Sequence, residues 1–456
     1  GSGSQTLTVS SLDVTLASGS STVGGNTTFS GFESLLGAGT ETLNVNGLAV
    51  DLNMGAGGAR TANAVSISGF ETIAGSGGAT LTATNLSAAT ISSTTTTLTG
   101  AGGTQSVSGF AMNLSAAGGA SDALNFSTAA TITLNTAGTG SATGPAAVTF
   151  SGFDTLVGNA VSGDSLTVNA VQSANLSAGF AGAVTLGGVA TQFSGMETLV
   201  LNSANAATET LTVSGLNLTM VSATQGTSGA LTFNNFDSLV GAGSESFNAG
   251  SLSVALNMAS GGDRTVNGAM TISGFETVTG SGTLSASNLS AASLTSGNST
   301  VTGAAGSQTF SSFANRNLTG LGSGTQTLTV NNLAISLAAG TYTLGGNTTF
   351  SGFESLVGAG TEALNVNNLA VSLDMGSGGT RTAAGMSISG FETLSGSAGA
   401  TLSSSNLSTA TVSAGNSTLT GAETQLVNGF AMTLAGVSNN STLNASAVNV
   451  LLDSAG

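Results

Sequence analysis

Few residues in this chain can do chemistry. Of its 456 residues, 20 are Asp or Glu and four are Arg, and Lys, His, Cys and Trp are absent. The carboxylates are not scattered. Eight follow an aromatic residue or Met at one repeated position: Glu33, Glu71, Asp154, Glu197, Asp237, Glu276, Glu354 and Glu392. Three further copies carry Ala111, Ala314 and Ala431 there instead. A row of carboxylates could gather cations. Calcium needs six to eight oxygens at ~2.4 Å, which side chains about 10 Å apart cannot supply together. The expected role is an outward charge that keeps a β-surface soluble.

Arginine recurs as well. Arg60, Arg264 and Arg381 each stand in Gly-Gly-x-Arg-Thr. The recurrence points to an ion pair or a carbonyl contact with a neighbouring turn, with Glu41, Glu245 or Glu362 as candidate partners. Such a pair at the surface adds at most ~1 kcal/mol. Hydrolases and lyases need clustered carboxylates beside His, Lys, Arg or Tyr. A phosphate-cradling Gly-rich loop needs Lys, and a Ser or Thr nucleophile needs a basic partner. The expectation is a chain without catalytic residues, cofactor or metal.

A repeat positions these groups. Thr28-Phe29-Ser30-Gly31-Phe32-Glu33-Ser34-Leu35 returns as variants centred on Phe70, Phe110, Phe153, Met196, Phe236, Phe275, Phe313, Phe353, Phe391 and Phe430. These eleven units lie 38 to 43 residues apart. A longer period of 321 residues carries Gly24–Leu35 onto Gly345–Leu356 unchanged. The chain therefore reads as one continuous array over residues 1–456, a window from a longer protein. The apolar run Val448-Asn449-Val450-Leu451-Leu452 is expected to continue as another coil.

Between the motifs, short runs such as Leu43-Asn44-Val45-Asn46 alternate apolar and polar residues, the period-2 pattern of strands. Helical spacing is absent. Strands of three to five residues on a fixed period fit an elongated β-solenoid, in which coils stack about 4.8 Å apart. Two coils of roughly 20 residues per repeat are expected, with one large coil per repeat as the alternative. The motif aromatics form the core of each repeat. Phe29, Phe150, Phe233 and Phe350 precede them by three residues, so both rings turn inward and stack along the axis. Asn85, Asn175, Asn288 and Asn406, each in Asn-Leu-Ser, are expected at corners.

Ser389-Gly390-Phe391-Glu392-Thr393-Leu394-Ser395-Gly396, in a Lys-free background rich in Gly, Ser, Thr and Asn, resembles the repeats of large bacterial exoproteins: filamentous-haemagglutinin-like adhesins, autotransporter passengers and giant β-strand-repeat surface proteins. The resemblance implies export, a right-handed parallel β-helix, and a role as fibre, stalk or adhesin. The calcium-binding repeat-toxin pattern is not matched; Gly261-Gly262-Asp263-Arg264 comes nearest.

Three functions follow as expectations: an extracellular or cell-surface structural fibre, such as a biofilm matrix component; an adhesin shaft that attaches to cells or environmental surfaces; or a polysaccharide- or ice-binding face. The last rests on Thr-x-Thr pieces such as Thr6/Thr8 and Thr327/Thr329, which recur irregularly. The expected partner is a second copy, joined end to end. A net charge of −16 with no basic cluster argues against nucleic acid. No apolar run reaches the ~18 residues of a membrane helix.

Overall fold

Alternation of apolar and polar residues places every second side chain on one face of a strand. In Thr42–Asn46, Leu43 and Val45 are buried while Asn46 faces solvent. In Ser165–Val171, Leu166, Val168 and Val171 are buried. The computed structural model describes residues 4–448, apart from 39, 120, 160–162, 207, 243, 360, 398 and 438–439. The apolar stretch expected to continue the coil at 449–452 lies outside them. Among the described residues about 60% are strand and none is helix, and mostly parallel stacked coils form a β-solenoid of about 13 turns. The expected all-β solenoid is the fold observed.

Residues Gly1–Leu218 and Thr224–Glu245 form one compact unit; Thr219–Ala223 and Ser246–Gly456 form a second. In the first, the chain shuttles between two sheets whose apolar faces enclose the core. Ser34–Gly37 lies parallel to Thr6–Val9 on one side and to Val65–Ser68 on the other. Thr42–Asn46, in the opposite sheet, lies between Val14–Ala17 and Thr72–Ser76. The chain then returns to the first sheet at Ala49–Asn53 and doubles back within it. Arg60–Ala62 runs antiparallel to Ala49–Asn53, and Val65–Ser68 antiparallel to Arg60–Ala62.

The next repeat places its meander in the other sheet. Strand Thr80–Ile91 serves both: its first half pairs with Ala49–Asn53, and its second half opens a meander with Thr96–Gly100 and Gly103–Ser108. The second unit follows the same rule. Val254–Asn257, Arg264–Val266 and Met270–Ser273 form one meander. Ala291–Leu294, Ser299–Gly303 and Gly306–Ser311 form the next, in the opposite sheet.

These meanders change the coil size. Parallel partners lie from 28 residues apart, as for Thr6 and Ser34, to 37, as for Thr155 and Gln192. A turn therefore takes nearly a whole repeat, where two turns of about 20 residues were expected. The physical reason is that each repeat also contains a reversed strand, and period-2 alternation is the same for parallel and antiparallel strands.

The Ser-Gly-Phe motif is the crossover from the end of a meander to the opposite sheet. Gly69 has φ +70°, and a Cβ there would lie 2.0 Å from the Gly37 carbonyl oxygen. Glycine is required for both the conformation and the close approach. Phe70, Phe110, Phe153, Met196, Phe236, Phe275, Phe313, Phe353 and Phe391 are buried, while Phe32 and Phe430 are partly exposed. The rings pair within a repeat: Phe150 and Phe153 meet edge to face at 6.3 Å, as do Phe350 and Phe353. An axial stack had been expected. Among the described residues, Phe247 and Phe275, tilted by 45° at 5.4 Å, are the rings that meet between successive turns.

Candidate functional site: corner carboxylates, glutamine clamps and asparagine columns

The motif carboxylates do not form one row. Crossovers alternate between the sheets, so successive motif acids enter opposite strands: Glu33 leads into Ser34–Gly37, and Glu71 into Thr72–Ser76 of the facing sheet. Five of the eight accept a main-chain N–H from the turn before. Glu33 Oε2 takes the N–H of Gln5 at 2.7 Å, and Asp154 Oδ2 that of Asp122 at 3.1 Å. Glu197 Oε2 takes that of Asp164 at 2.5 Å, Asp237 Oδ2 that of Glu209 at 3.2 Å, and Glu354 Oε2 that of Gln326 at 2.8 Å. A carboxylate accepting backbone N–H groups makes stronger bonds than a neutral acceptor. Glu71, Glu276 and Glu392 have exposed side chains.

Below the motif acids lies a second, buried set. Glu41 Oε1 accepts the Ser11 N–H at 2.6 Å and its Oε2 the Ala38 N–H at 3.1 Å. Asp122 Oδ2 accepts the N–H groups of Gly118 and Gly119, each at 3.0 Å. Glu245 takes the Gly215 N–H and Glu362 the Asn332 N–H, both at 2.6 Å. Asp164 Oδ1 takes the Ala130 N–H at 2.6 Å, and its Oδ2 that of Asn159. These side chains hold loop amides that no strand partner satisfies. Asp122, Asp164 and Glu209 were missed in the sequence reading. The available signal was their spacing of 28 to 33 residues before a motif acid, which matches one turn.

The recurring arginines find other partners than Glu41, Glu245 and Glu362. Arg60 Nη1 donates to Gln105 Oε1 at 3.1 Å and Nη2 to the Gly102 carbonyl at 3.0 Å. Arg264 repeats this with Gln308 Oε1 at 2.7 Å and the Ala305 carbonyl at 3.3 Å. Arg381 pairs with Glu423 at 2.7 Å. Burial lowers the pKa of Arg264 and of Arg316, whose Nη2 donates to Asn347 Oδ1 at 3.3 Å.

The glutamines are the third element. Gln105 Nε2 donates to the carbonyls of Phe70, Glu71 and Ser106 at 3.2, 3.1 and 3.2 Å. Gln308 does the same to Phe275, Glu276 and Thr309, and Gln425 to Phe391, Glu392 and Leu426. Each is 3–4% exposed. A buried primary amide thus clamps the motif corner of the turn before. The carbonyls of Glu71, Glu276 and Glu392 are part of that clamp.

Asparagines hold the strand ends. Asn85 Nδ2 donates to Asn53 Oδ1 at 2.7 Å, and that same oxygen accepts the Gly55 N–H at 2.9 Å. Asn288 does this with Asn257, and Asn406 with Asp374. All three donors have positive φ, as a corner Asn can. Asn175 differs from the expectation: it lies inside strand Ser173–Ser177, paired with Thr212. A separate column runs from Asn135 through Asn169 and Asn202 to Asn234, with amide bonds of 2.8–2.9 Å between neighbours. Gln225 extends it at 3.1 Å.

Among the described residues no three His, Cys, Asp or Glu side chains converge as a metal site. Nor is there among them a helix long and apolar enough to cross a membrane. No family model, curated protein or solved structure matches this chain.

Proposed function

We propose that this chain is a structural segment of an extracellular or cell-surface fibre, a β-solenoid acting as stalk or filament. The observation that carries this reading is where its polar chemistry goes. The motif carboxylates, the Arg–Gln pairs and the Asn columns recur by repeat, and their bonds close within the solenoid. No single turn is set apart by a convergent group of reactive side chains among the described residues. Export and kinship with bacterial surface adhesins belong to the same proposal, supported by the Lys-free, Gly/Ser/Thr/Asn-rich repeats. So does self-association.

Immuno-electron microscopy of the native source tests the reading. Label along filaments or stalks outside the cell is expected. Label confined to the cell interior would overturn it. Binding of the isolated segment to cells, without filaments, would favour the adhesin reading.

A further inference from the structure

We propose that the meander of residues 173–194 carries a binding groove for a neutral polysaccharide, a role that does not rest on the fibre reading. Its three strands, Ser173–Ser177, Ala181–Leu186 and Val189–Ser194, lie side by side. Alternation turns Ala174, Leu176, Val184 and Phe193 into the core and leaves the residues between them on the outer face. A groove of about 450 Å³ lies over the middle strand there, a size within the range of ligand clefts. Its floor is Ala181, Gly182 and Ala183. Asn175 and Ser177 form one wall, Gln192 and Ser194 the other. Asn175 and Gln192 are both ladder partners of Ala183, so their backbones stand about 10 Å apart with one strand between them.

This groove differs from the rest of the array in its floor and in its walls. Other meanders carry threonine on the outward face of the middle strand: Thr97 and Thr99, Thr300 and Thr302, Thr418 and Thr420. Here Ala181 and Ala183 take that face and leave the space open. Asn85, Asn288 and Asn406, also in Asn-Leu-Ser, each commit their amide to a neighbouring turn. Asn175 does not. It is exposed within its strand, as Gln192 is within its own. Among the described residues neither side-chain amide bonds to protein, so each keeps its donors and its acceptor for a ligand. Ser177 Oγ donates to the Ala181 carbonyl at 3.0 Å and keeps its acceptor side.

The chemistry of the groove selects its occupant. A small apolar floor between amide and hydroxyl walls suits a saccharide ring, which has C–H faces and a rim of hydroxyls that both donate and accept. No charged side chain lines the groove. Asp154 stands just before Thr155, whose strand flanks Val189–Ser194, and Glu197 follows that strand. Negative charge on this side works against uronates, sulfates and phosphates. An extended peptide is disfavoured for another reason. Each of the three strands is paired on both sides, so no open edge is left for an added strand.

The test is calorimetric titration of the full chain with cellohexaose, maltohexaose and laminarihexaose, and with an alginate hexamer as the acidic comparator. Binding of at least one neutral glucan is expected, with alginate weaker or silent. Ala181→Thr combined with Ala183→Thr supplies the side chains that other meanders carry, so the fold should be kept while the floor fills. Asn175→Ala combined with Gln192→Ala removes two exposed amides and covers the case in which the threonine variant does not fold. Each pair should weaken binding by about tenfold or more, as loss of ligand hydrogen bonds or of the space itself implies. No binding of any neutral glucan, a preference for alginate, or an affinity unchanged in the folded variants overturns the proposal.

Discussion

Residues 48–105 and 369–425 are copies one long period apart, and they differ where bonds can be exchanged. Asn53 in the first is Asp374 in the second; both accept from a corner Asn and from the amide two residues on. Arg60 donates to Gln105 and Gly102, whereas Arg381 pairs with Glu423. The glutamine clamp on the crossover is the same in both. So are buried Met54 and Met375, and the motif Phe70 and Phe391. The comparison separates what the turn requires from what decorates it. An apolar ring and an amide clamp at the crossover are kept; the charge on the acceptor and the partner of the arginine vary.

The largest effect should come from the shared core. Phe70→Asp and Phe391→Asp each bury an unpaired charge, with an expected loss on the order of 4 kcal/mol or more. Thermal melting should show comparable losses, because the two corners are equivalent. A mild effect at either would break the equivalence.

Removing the clamp comes next. Gln425→Ala leaves carbonyls at the crossover unpaired, at about 1–3 kcal/mol. Gln105→Ala should cost more, since it also removes the acceptor of Arg60. Denaturant midpoints of the two variants check the order, and a larger loss at Gln425 would contradict it.

Asp374 then sharpens the contrast with Asn53. The Asn406 amide, and next the Gly376 N–H, hold its carboxyl below the ordinary 3.8. A lowered folded-state pKa gives stability that is present above the ordinary value and lost as pH falls through the folded value. Asp374→Asn should flatten that part of the acid limb in a pH series of melts, while Asn53 variants leave it unchanged. The smallest effect belongs to Glu423→Gln. Its side chain is 71% exposed, so the change should be within ~1 kcal/mol and fade in high salt. Melting at two salt concentrations reads it.

Much of this architecture was legible in the sequence. The motif spacing gave the period, alternation such as Leu43-Asn44-Val45-Asn46 gave the strands, and Phe70 or Phe353 were readable as core because an aromatic recurring in a weakly polar background must be buried. The coil size was not legible. Arg60–Ala62 alternates just as its neighbours do, so nothing local marks it as the reversed strand of a meander. The corner carboxylates were visible as a recurrence, but whether they face solvent or main-chain amides depends on which loop the turn below presents. Gln105, Gln308 and Gln425 were overlooked because an amide draws attention only once the carbonyls it reaches are in place.

One turn takes nearly a whole repeat, with the motif corner joining opposite sheets. The chain has no cysteine, so paired replacements report spacing without background. Thr42 lies beside Thr72 in a parallel ladder, a separation within reach of a disulfide. Thr42→Cys with Thr72→Cys should cross-link readily within one chain under mild oxidation. Thr42→Cys with Ala62→Cys, the pair that a coil of about 20 residues would bring together, should stay reduced. The reverse outcome would contradict the account.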